Sequence, residues 1–314
     1  MKWLAAAFAA VLSTLALAQA FPERAVRIIV PLTPGGSPDT IARAISAGIQ
    51  WPQPVLVENR PGGSQNIGAD LVAKSAPDGH TWLLAPDNVF SVNPHLGKQP
   101  FDPLSDFIAV TQLARIQFLL VVHPSLPVNS VQDLVAYAKA RPGELNHGSS
   151  GNGSPQHLGA AMLQLLTGTK MNHVPYKGAA PAVADLLPGR IQVWIGAANT
   201  LLPHIKDGKL RLLASSAPTR FSNLGDTPTI GEAVPGYALD PWLGLFVPAR
   251  TPPEILRRIH ADVTKVVNSP ELKAKLGSQG IMIETNTPAE FASYIREDHA
   301  RWGKVIREAG IKGE

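Results

Sequence analysis

The sequence predicts an α/β protein of two lobes with a ligand cleft between them. Three observations carry that prediction. β-Branched apolar runs alternate with helical patterns, as in parallel sheets covered by helices. A turn at one strand-to-helix junction, Gly36-Ser37-Pro38, recurs as Gly153-Ser154-Pro155. Residues 21–314 number 294, enough for two lobes of roughly 100–200 residues each.

The elements follow in order. Val26 to Val30 is a buried strand, ended by Pro31 and Pro34. Gly35 and Gly36 allow a sharp turn, and Ser37 stands as N-cap before Pro38. Ile41, Ala44 and Ile45 give the helix an apolar face. Val55 to Val57 is a strand running into Glu58-Asn59-Arg60-Pro61-Gly62-Gly63, and a helix spans about Asn66 to Lys74. Thr81 to Ala85 is the third strand, ending at Pro86-Asp87-Asn88. Ile108 to Leu113 and Phe118 to Val122 are two more, and the proline-bounded His123–Pro127 is the expected crossing between lobes.

The second lobe opens with a helix from Ser130, which has Asp133 as its capping partner. A strand at Leu145–His147 leads into the second glycine turn, whose helix ends near Gly168. Strands at Met171–Val174, Ile191–Ile195 and Leu210–Ala214 follow, with a helix carrying Pro181 and an exit loop at Gly196–Asn199. Gly244 to Pro248 is the expected return crossing. The lobes are thus 21–122 plus 244–314, and 123–243. Thr251-Pro252-Pro253-Glu254 and Thr287-Pro288-Ala289-Glu290 both read as capping boxes with proline at the helix start. The last helix, with apolar Phe291, Tyr294, Ile295, Trp302 and Ile306, is expected on the first lobe.

A glycine turn at a helix start points backbone N–H groups outward, with the positive end of the helix dipole behind them. It can hold an anion without lysine or arginine. Alone, such a turn is more often an ordinary junction; the second copy, Ser149 through Leu158, gives it weight. In α/β folds ligands lie beyond the carboxyl ends of strands. Two such turns on facing lobes would grip a small anion from both sides.

Residues 1–20 read as a cleaved signal peptide: Lys2, an apolar Leu4–Leu17, and Ala18-Gln19-Ala20 as the cleavage site. The apolar run is short for a membrane span of about 20 residues. The expectation is a secreted chain starting near Phe21. There is no cysteine, which excludes disulfides, thiolate metal sites and a lipid-modified cysteine. Lys2 is the only charged residue before Phe21, so the net charge falls from +4 to +3. No basic run suggests nucleic acid.

Several stretches together carry a family resemblance: Ile29 through Arg43, Val57 through Gly62, Asn66-Ile67-Gly68-Ala69-Asp70, Asp78-Gly79-His80-Thr81, Ser149 through Leu158, His173 through Gly178, and Pro203-His204-Ile205. The chain resembles the Bug-type substrate-binding proteins of tripartite tricarboxylate transporters. The resemblance implies a type II-like periplasmic-binding-protein fold and a small carboxylate ligand. It implies delivery to a membrane permease, a periplasmic monomer, no cofactor and no metal. By position it implies ligand contacts from Gly36, Ser37 and Asp39 on the first lobe and Asn152, Gly153, Ser154 and His157 on the second, with Asp87, Ser149 and Ala197 beside them. Three departures stand out. Gln65 replaces a usual glycine, Trp51-Pro52 alters the approach to the second strand, and Gly196-Ala197 replaces a polar pair. The last implies a ligand whose distal part is less polar than an amino acid.

Each candidate has a plainer role. Asp39 suits the first turn of any helix. Ser37 and Ser154 are caps whatever else they do, and Trp194 and Trp242 are core residues. His157 is expected neutral, because a helix start disfavours imidazolium. Tyr176-Lys177-Gly178 lines the cleft by resemblance. Hydrolase chemistry is the rival class. Gly148-Ser149-Ser150-Gly151 approaches a nucleophile elbow, but Asn152 stands where its final glycine belongs. A sensor that docks on a histidine kinase would use the same cleft. Mono-, di- and tricarboxylates and aromatic acids all remain open as ligands.

Overall fold

A computed structural model describes residues 21–176 and 178–312. The expected signal peptide, residues 1–20, lies outside them, as does Lys177. The chain opens with β1 (Val26–Val30), α1 (Ser37–Gly48), β2 (Val55–Asn59), a 3₁₀ turn (Gly63–Gln65), α2 (Asn66–Ala73) and β3 (Thr81–Pro86). Two single-turn helices follow, α3 (Asn88–Ser91) and α4 (Asn93–Leu96), then β4 (Phe107–Ile116). The next stretch holds β5 (Phe118–Val122), α5 (Val131–Ala140), β6 (Asn146–Ser149), α6 (Pro155–Thr167), β7 (Asn172–Pro175) and α7 (Ala179–Leu186). It continues with β8 (Val193–Ala197), α8 (Ala198–Lys206), β9 (Arg211–Ser215) and α9 (Ile230–Ala233). The chain closes with β10 (Trp242–Pro248), α10 (Pro253–Val267), α11 (Pro270–Gly277), β11 (Ile281–Ile283) and α12 (Pro288–Glu308).

Two sheets define the lobes. The first has the order β11-β4-β10-β3-β1-β2 and the second β7-β6-β8-β5-β9. In the first, β1, β2 and β3 are parallel, with Val26 opposite Val55 and Arg27 opposite Thr81. In the second, β6 is parallel to β7 and β8. Four of these strands, β1, β2, β3 and β6, run into segments that line one cleft: Leu32, Ser64–Asn66, Asn88 and Ser150.

Strand alternation places a core on each face of each sheet. In β1, Val26, Ile28 and Val30 join Ile41 and Ile45 of α1 and Ile259 and Val263 of α10. Ile29 points the other way, to Val72 of α2 and Phe291 of α12. In β5, Phe118, Leu120 and Val122 meet α5 and α6, while Leu119 and Val121 meet α7 and α8. A strand buried on both faces reads as a continuous apolar run, which is why Val26–Val30 and Phe118–Val122 were legible.

Four expectations need correction. The first crossing lies at Gln117, not at His123–Pro127: β5 pairs antiparallel with β8 and β9 of the second sheet. The apolar run could sit in either sheet, and proline only marked its far end. The return crossing comes just before Trp242, since Trp242 already pairs with Arg115 of β4. Gly196 and Ala197 are the end of β8 rather than an exit loop, and α8 starts at once. Thr251 is no capping residue, because its hydroxyl donates to the Pro248 carbonyl at 2.8 Å. The Thr287–Glu290 box does form, and a second, unforeseen one joins Thr229 and Glu232.

The last helix divides between the lobes. Phe291 and Ile295 pack in the first-lobe core, whereas Trp302, Val305 and Ile306 pack with Leu158 and Met162 of α6. The expected first-lobe packing holds for its N-terminal half only.

Candidate functional site

A cleft of about 540 Å³ lies between the lobes. The first lobe contributes Leu32, the Ser64-Gln65-Asn66 turn, Asn88, and Asn93 with Leu96 to Gln99 around α4. The second contributes Ser150 and Asn152 to Gln156. Among the described residues, Lys98 is the only charged one that lines it, and no carboxylate does. A groove of similar size, about 570 Å³, runs along the outside of the first lobe beside Trp51, Arg258 and Asp262. It draws on one lobe, and its Trp51 indole already donates to Asp262 at 2.7 Å. The interlobe cleft is therefore the candidate site.

The second glycine turn forms as expected. Gly153 sits at φ +71°, which glycine adopts without strain. The Ser154 hydroxyl accepts the His157 N–H at 3.4 Å and donates to the Gly151 carbonyl at 2.7 Å. A Cβ on Gly153 would stand 2.4 Å from Leu96 Cδ1, so this turn is also where the two lobes touch. Asn152, Gly153 and Ser154 line the cleft.

The first turn is a different device. Here Gly36 is the N-cap, with an ordinary φ of −81°, and no side chain caps α1. Ser37 is already helical, a correction to its expected capping role. Gly35 carries the left-handed φ of +94°. Asp39 holds that turn: one carboxylate oxygen accepts the Gly35 N–H at 3.0 Å and Arg43 Nε at 2.9 Å. The Arg43 guanidinium beside it lowers its pKa against the opposing effect of burial. The other oxygen is buried without a hydrogen-bond partner among the described residues. Gly36, Ser37 and Asp39 do not line the cleft, whereas Leu32, ahead of the turn, does.

Asp87, Ser149, His157 and Ala197 also stand behind the lining. The Asp87 carboxylate accepts the Asn88 N–H at 2.8 Å, and burial, reinforced by the Asp298 charge, raises its pKa well above the usual range. Asn88 reaches the cleft in its place. His157 Nδ1 accepts the Gly153 N–H at 3.1 Å. Burial, with the neighbouring His173, pushes its pKa down to about 4. It is neutral as expected, for a different reason than the helix dipole. His157, His173 and His147 stack, the first two with centroids 3.9 Å apart. Ala197 is half-buried at the end of β8, so the polarity of the cleft is not set there.

Ser149 Oγ lies 2.6 Å from His173 Nε2, the pair a hydrolase would need. Ser149 is fully buried, however, and its hydroxyl accepts the Gly151 N–H at 3.1 Å. A nucleophile must be reachable. The pair instead braces the Gly151 turn.

Sequence reasoning missed the lining from Ser64 to Asn66, Asn93, and Leu96 to Gln99. The one available signal was Gln65, where glycine is usual. Ser64 and Gln65 both hold left-handed φ values, +50° and +77°. Asn93 Nδ2 donates to the Ser64 carbonyl at 2.7 Å and pins that turn.

The chain is similar to known proteins in sequence and in fold. The family model of the tripartite tricarboxylate transporter family receptor matches residues 41–311. The chain belongs to that family. Among its relatives, protein BugT of Bordetella pertussis is 35% identical over 303 residues, covering 94% of this chain and 92% of BugT. A solved structure, R. palustris Rpa4515 with adipate, is 36% identical with a TM-score of 0.82, covering 94% of this chain and all of that one. MatC of Rhodopseudomonas palustris with bound malate is 28% identical at a TM-score of 0.77, covering 91% and 100%. This receptor of the tricarboxylate family thus shares its whole two-lobed fold with proteins solved holding carboxylates.

Proposed function

We propose that the protein is a periplasmic receptor that captures a small carboxylate in the interlobe cleft and delivers it to the permease of a tripartite transporter. One observation carries the reading: a cleft lined from both lobes whose only charge among the described residues is Lys98, with the Ser154-capped start of α6 on its wall. A helix start and one cation favour an anion, and the missing carboxylates remove what would repel it. Relatives solved with adipate and malate support the same ligand class. The receptor works as a monomer, is exported through residues 1–20, and returns its ligand unchanged.

The test is a thermal-shift screen of residues 21–314 against a carboxylate library. A ligand at a hundredfold its dissociation constant stabilises the folded state by about 2.7 kcal/mol, a visible shift. A screen in which only amines or neutral solutes shift the melting curve would overturn the carboxylate reading. Replacing Lys98 by alanine should weaken binding of the best carboxylate by about tenfold, the equivalent of roughly 1.4 kcal/mol.

A further inference from the structure

We propose that His157 sets the charge preference of the cleft: it braces the second glycine turn with a neutral acceptor where other helix starts of this chain use a carboxylate. The inference rests on the carboxylate reading above and assigns to it a positioning residue that stands behind the lining.

Four helix starts in this chain are closed by an acid that reaches back to a backbone N–H. Asp39 accepts the Gly35 N–H before α1, and Asp133 accepts the Asn129 N–H before α5, both at 3.0 Å. Glu232 accepts the Thr229 N–H at 3.0 Å before α9, and Glu290 accepts the Thr287 N–H at 2.9 Å before α12. An acid suits this position because it also meets the positive end of the helix dipole. The start of α6 is built the same way. The Ser154 hydroxyl accepts the His157 N–H, and His157 Nδ1 reaches back four residues to accept the Gly153 N–H at 3.1 Å. The offset is that of Asp39 and Asp133, with an imidazole in place of the carboxylate.

The exception falls at the cleft. None of the four acids lines it, whereas Gly153, Ser154, Pro155 and Gln156 at the α6 start all do. Asp133, Glu232 and Glu290 are exposed to water, and Asp39 is paired with Arg43 at 2.9 Å. A carboxylate at position 157 would have neither relief. The position is half-buried, and among the described residues His173 is the one titratable group that acts on it. The charge would stand one hydrogen bond behind the wall and repel an anion in the cleft.

Geometry keeps the imidazole neutral and in one tautomer. Nδ1 accepts an N–H, so the proton of the neutral ring sits on Nε2. Turning the ring over would set a carbon against the Gly153 N–H. His173 stacks flat on it, with centroids 3.9 Å apart and planes at 5°, and His147 stacks on His173 in turn. Burial lowers the pKa of all three rings. The Gly153 N–H is spent on the ring, so His157 acts on a ligand through the turn.

Titration calorimetry with adipate, malate, citrate and benzoate tests this on the parent, His157→Asn, His157→Asp and His157→Leu. Asparagine and aspartate share one shape and differ in charge. The asparagine variant should keep the parent affinity for the best-bound acid within about threefold. The aspartate variant should lose at least about tenfold. It should still melt within about 4 °C of the asparagine variant, because an acid closes this kind of helix start elsewhere in the chain. The leucine variant, which has no acceptor, should lose about three- to tenfold. Nitrogen-15 NMR of the parent's histidine rings should show position 157 neutral at pH 7, with Nδ1 bare. Equal affinities in folded asparagine and aspartate variants overturn the inference and leave the carboxylate reading intact. So does a leucine variant that binds like the parent, or a ring that carries its proton on Nδ1. Those two readings decide the matter even where the aspartate variant fails to fold. A parent that binds none of the four acids overturns the carboxylate reading instead.

Discussion

Asp298 shows how much one buried residue can organise. It sits on α12 at 3% exposure, pairs with Arg301 and accepts the Trp242 indole N–H at 3.0 Å. Arg301 also donates to the Ala238 carbonyl at 2.7 Å, beside the return crossing. Replacing Asp298 by alanine leaves the buried Trp242 indole N–H unpaired and takes the carboxylate from the half-buried Arg301, which keeps its Ala238 bond. We expect a loss of about 1–3 kcal/mol in urea unfolding. Nearby, Asp240 pairs with Arg115 at 3.1 Å. Burial pushes its carboxyl up to about 6, with Arg115 opposing the rise and Glu284 adding to it. A carboxyl with a raised native pKa binds protons more tightly folded than unfolded. Its stabilising contribution is therefore full below the unfolded value of 3.8 and is lost as pH rises through about 6. Asp240→Asn should flatten the stability profile between about pH 4 and 7 and be more stable than the parent near pH 7, by about 1–2 kcal/mol. Asp87, which shifts the same way, retains its own share of the slope. An unchanged slope in urea titrations at several pH values would contradict the assignment.

The two glycine turns differ as elements, although their sequences match. A Cβ on Gly36 meets only Pro38 Cδ, at an ordinary 3.6 Å. One on Gly153 meets Leu96 at 2.4 Å and sits at a left-handed φ. Gly36→Ala should therefore change stability by no more than about 0.5 kcal/mol. Gly153→Ala should cost about 1–2 kcal/mol from its backbone alone. The Gly153 variant should also lose ligand affinity, because its side chain displaces the Leu96 methyl that lines the cleft beside the turn. Equal melting temperatures for the two variants would sink this distinction. The capping box at Thr287 is a separate matter: Thr287→Ala should cost about 0.5–2 kcal/mol, read by thermal unfolding.

At the scale of the molecule, three passages join the lobes. Gln117 carries the chain across, residues 240–241 bring it back, and α12 spans both cores. Ile116 donates to the Pro241 carbonyl at 2.8 Å, so the two crossings run side by side. Such coupling predicts that the lobes unfold together. Calorimetry should show one transition, with a van't Hoff enthalpy matching the calorimetric one. Trp302→Ala removes the anchor of α12 in the second lobe and should cost about 3–5 kcal/mol. Two resolved transitions in the parent protein would mean that α12 does not couple the lobes.

The sequence by itself determined what depends on neighbours in the chain. Strand alternation, proline stops, the second glycine turn with its Ser154 cap and the family could all be read from Val26–Val30, Ser149–Leu158 and their like. These are local properties, set by φ preferences and by which faces are apolar. Three things were decided only by tertiary structure. The Phe118–Val122 run reads the same in either sheet, and only its pairing with β8 and β9 assigned it to the second lobe. The last helix has one apolar stripe, and only packing showed that the stripe covers two cores. Most of the first-lobe wall of the cleft comes from residues 64–66, Asn93 and residues 96–99, mainly polar segments without periodicity, which carry no pattern to read. Their place at the site comes from long-range contacts such as Asn93 to Ser64 and Leu96 to Gly153, between groups that the sequence lists apart.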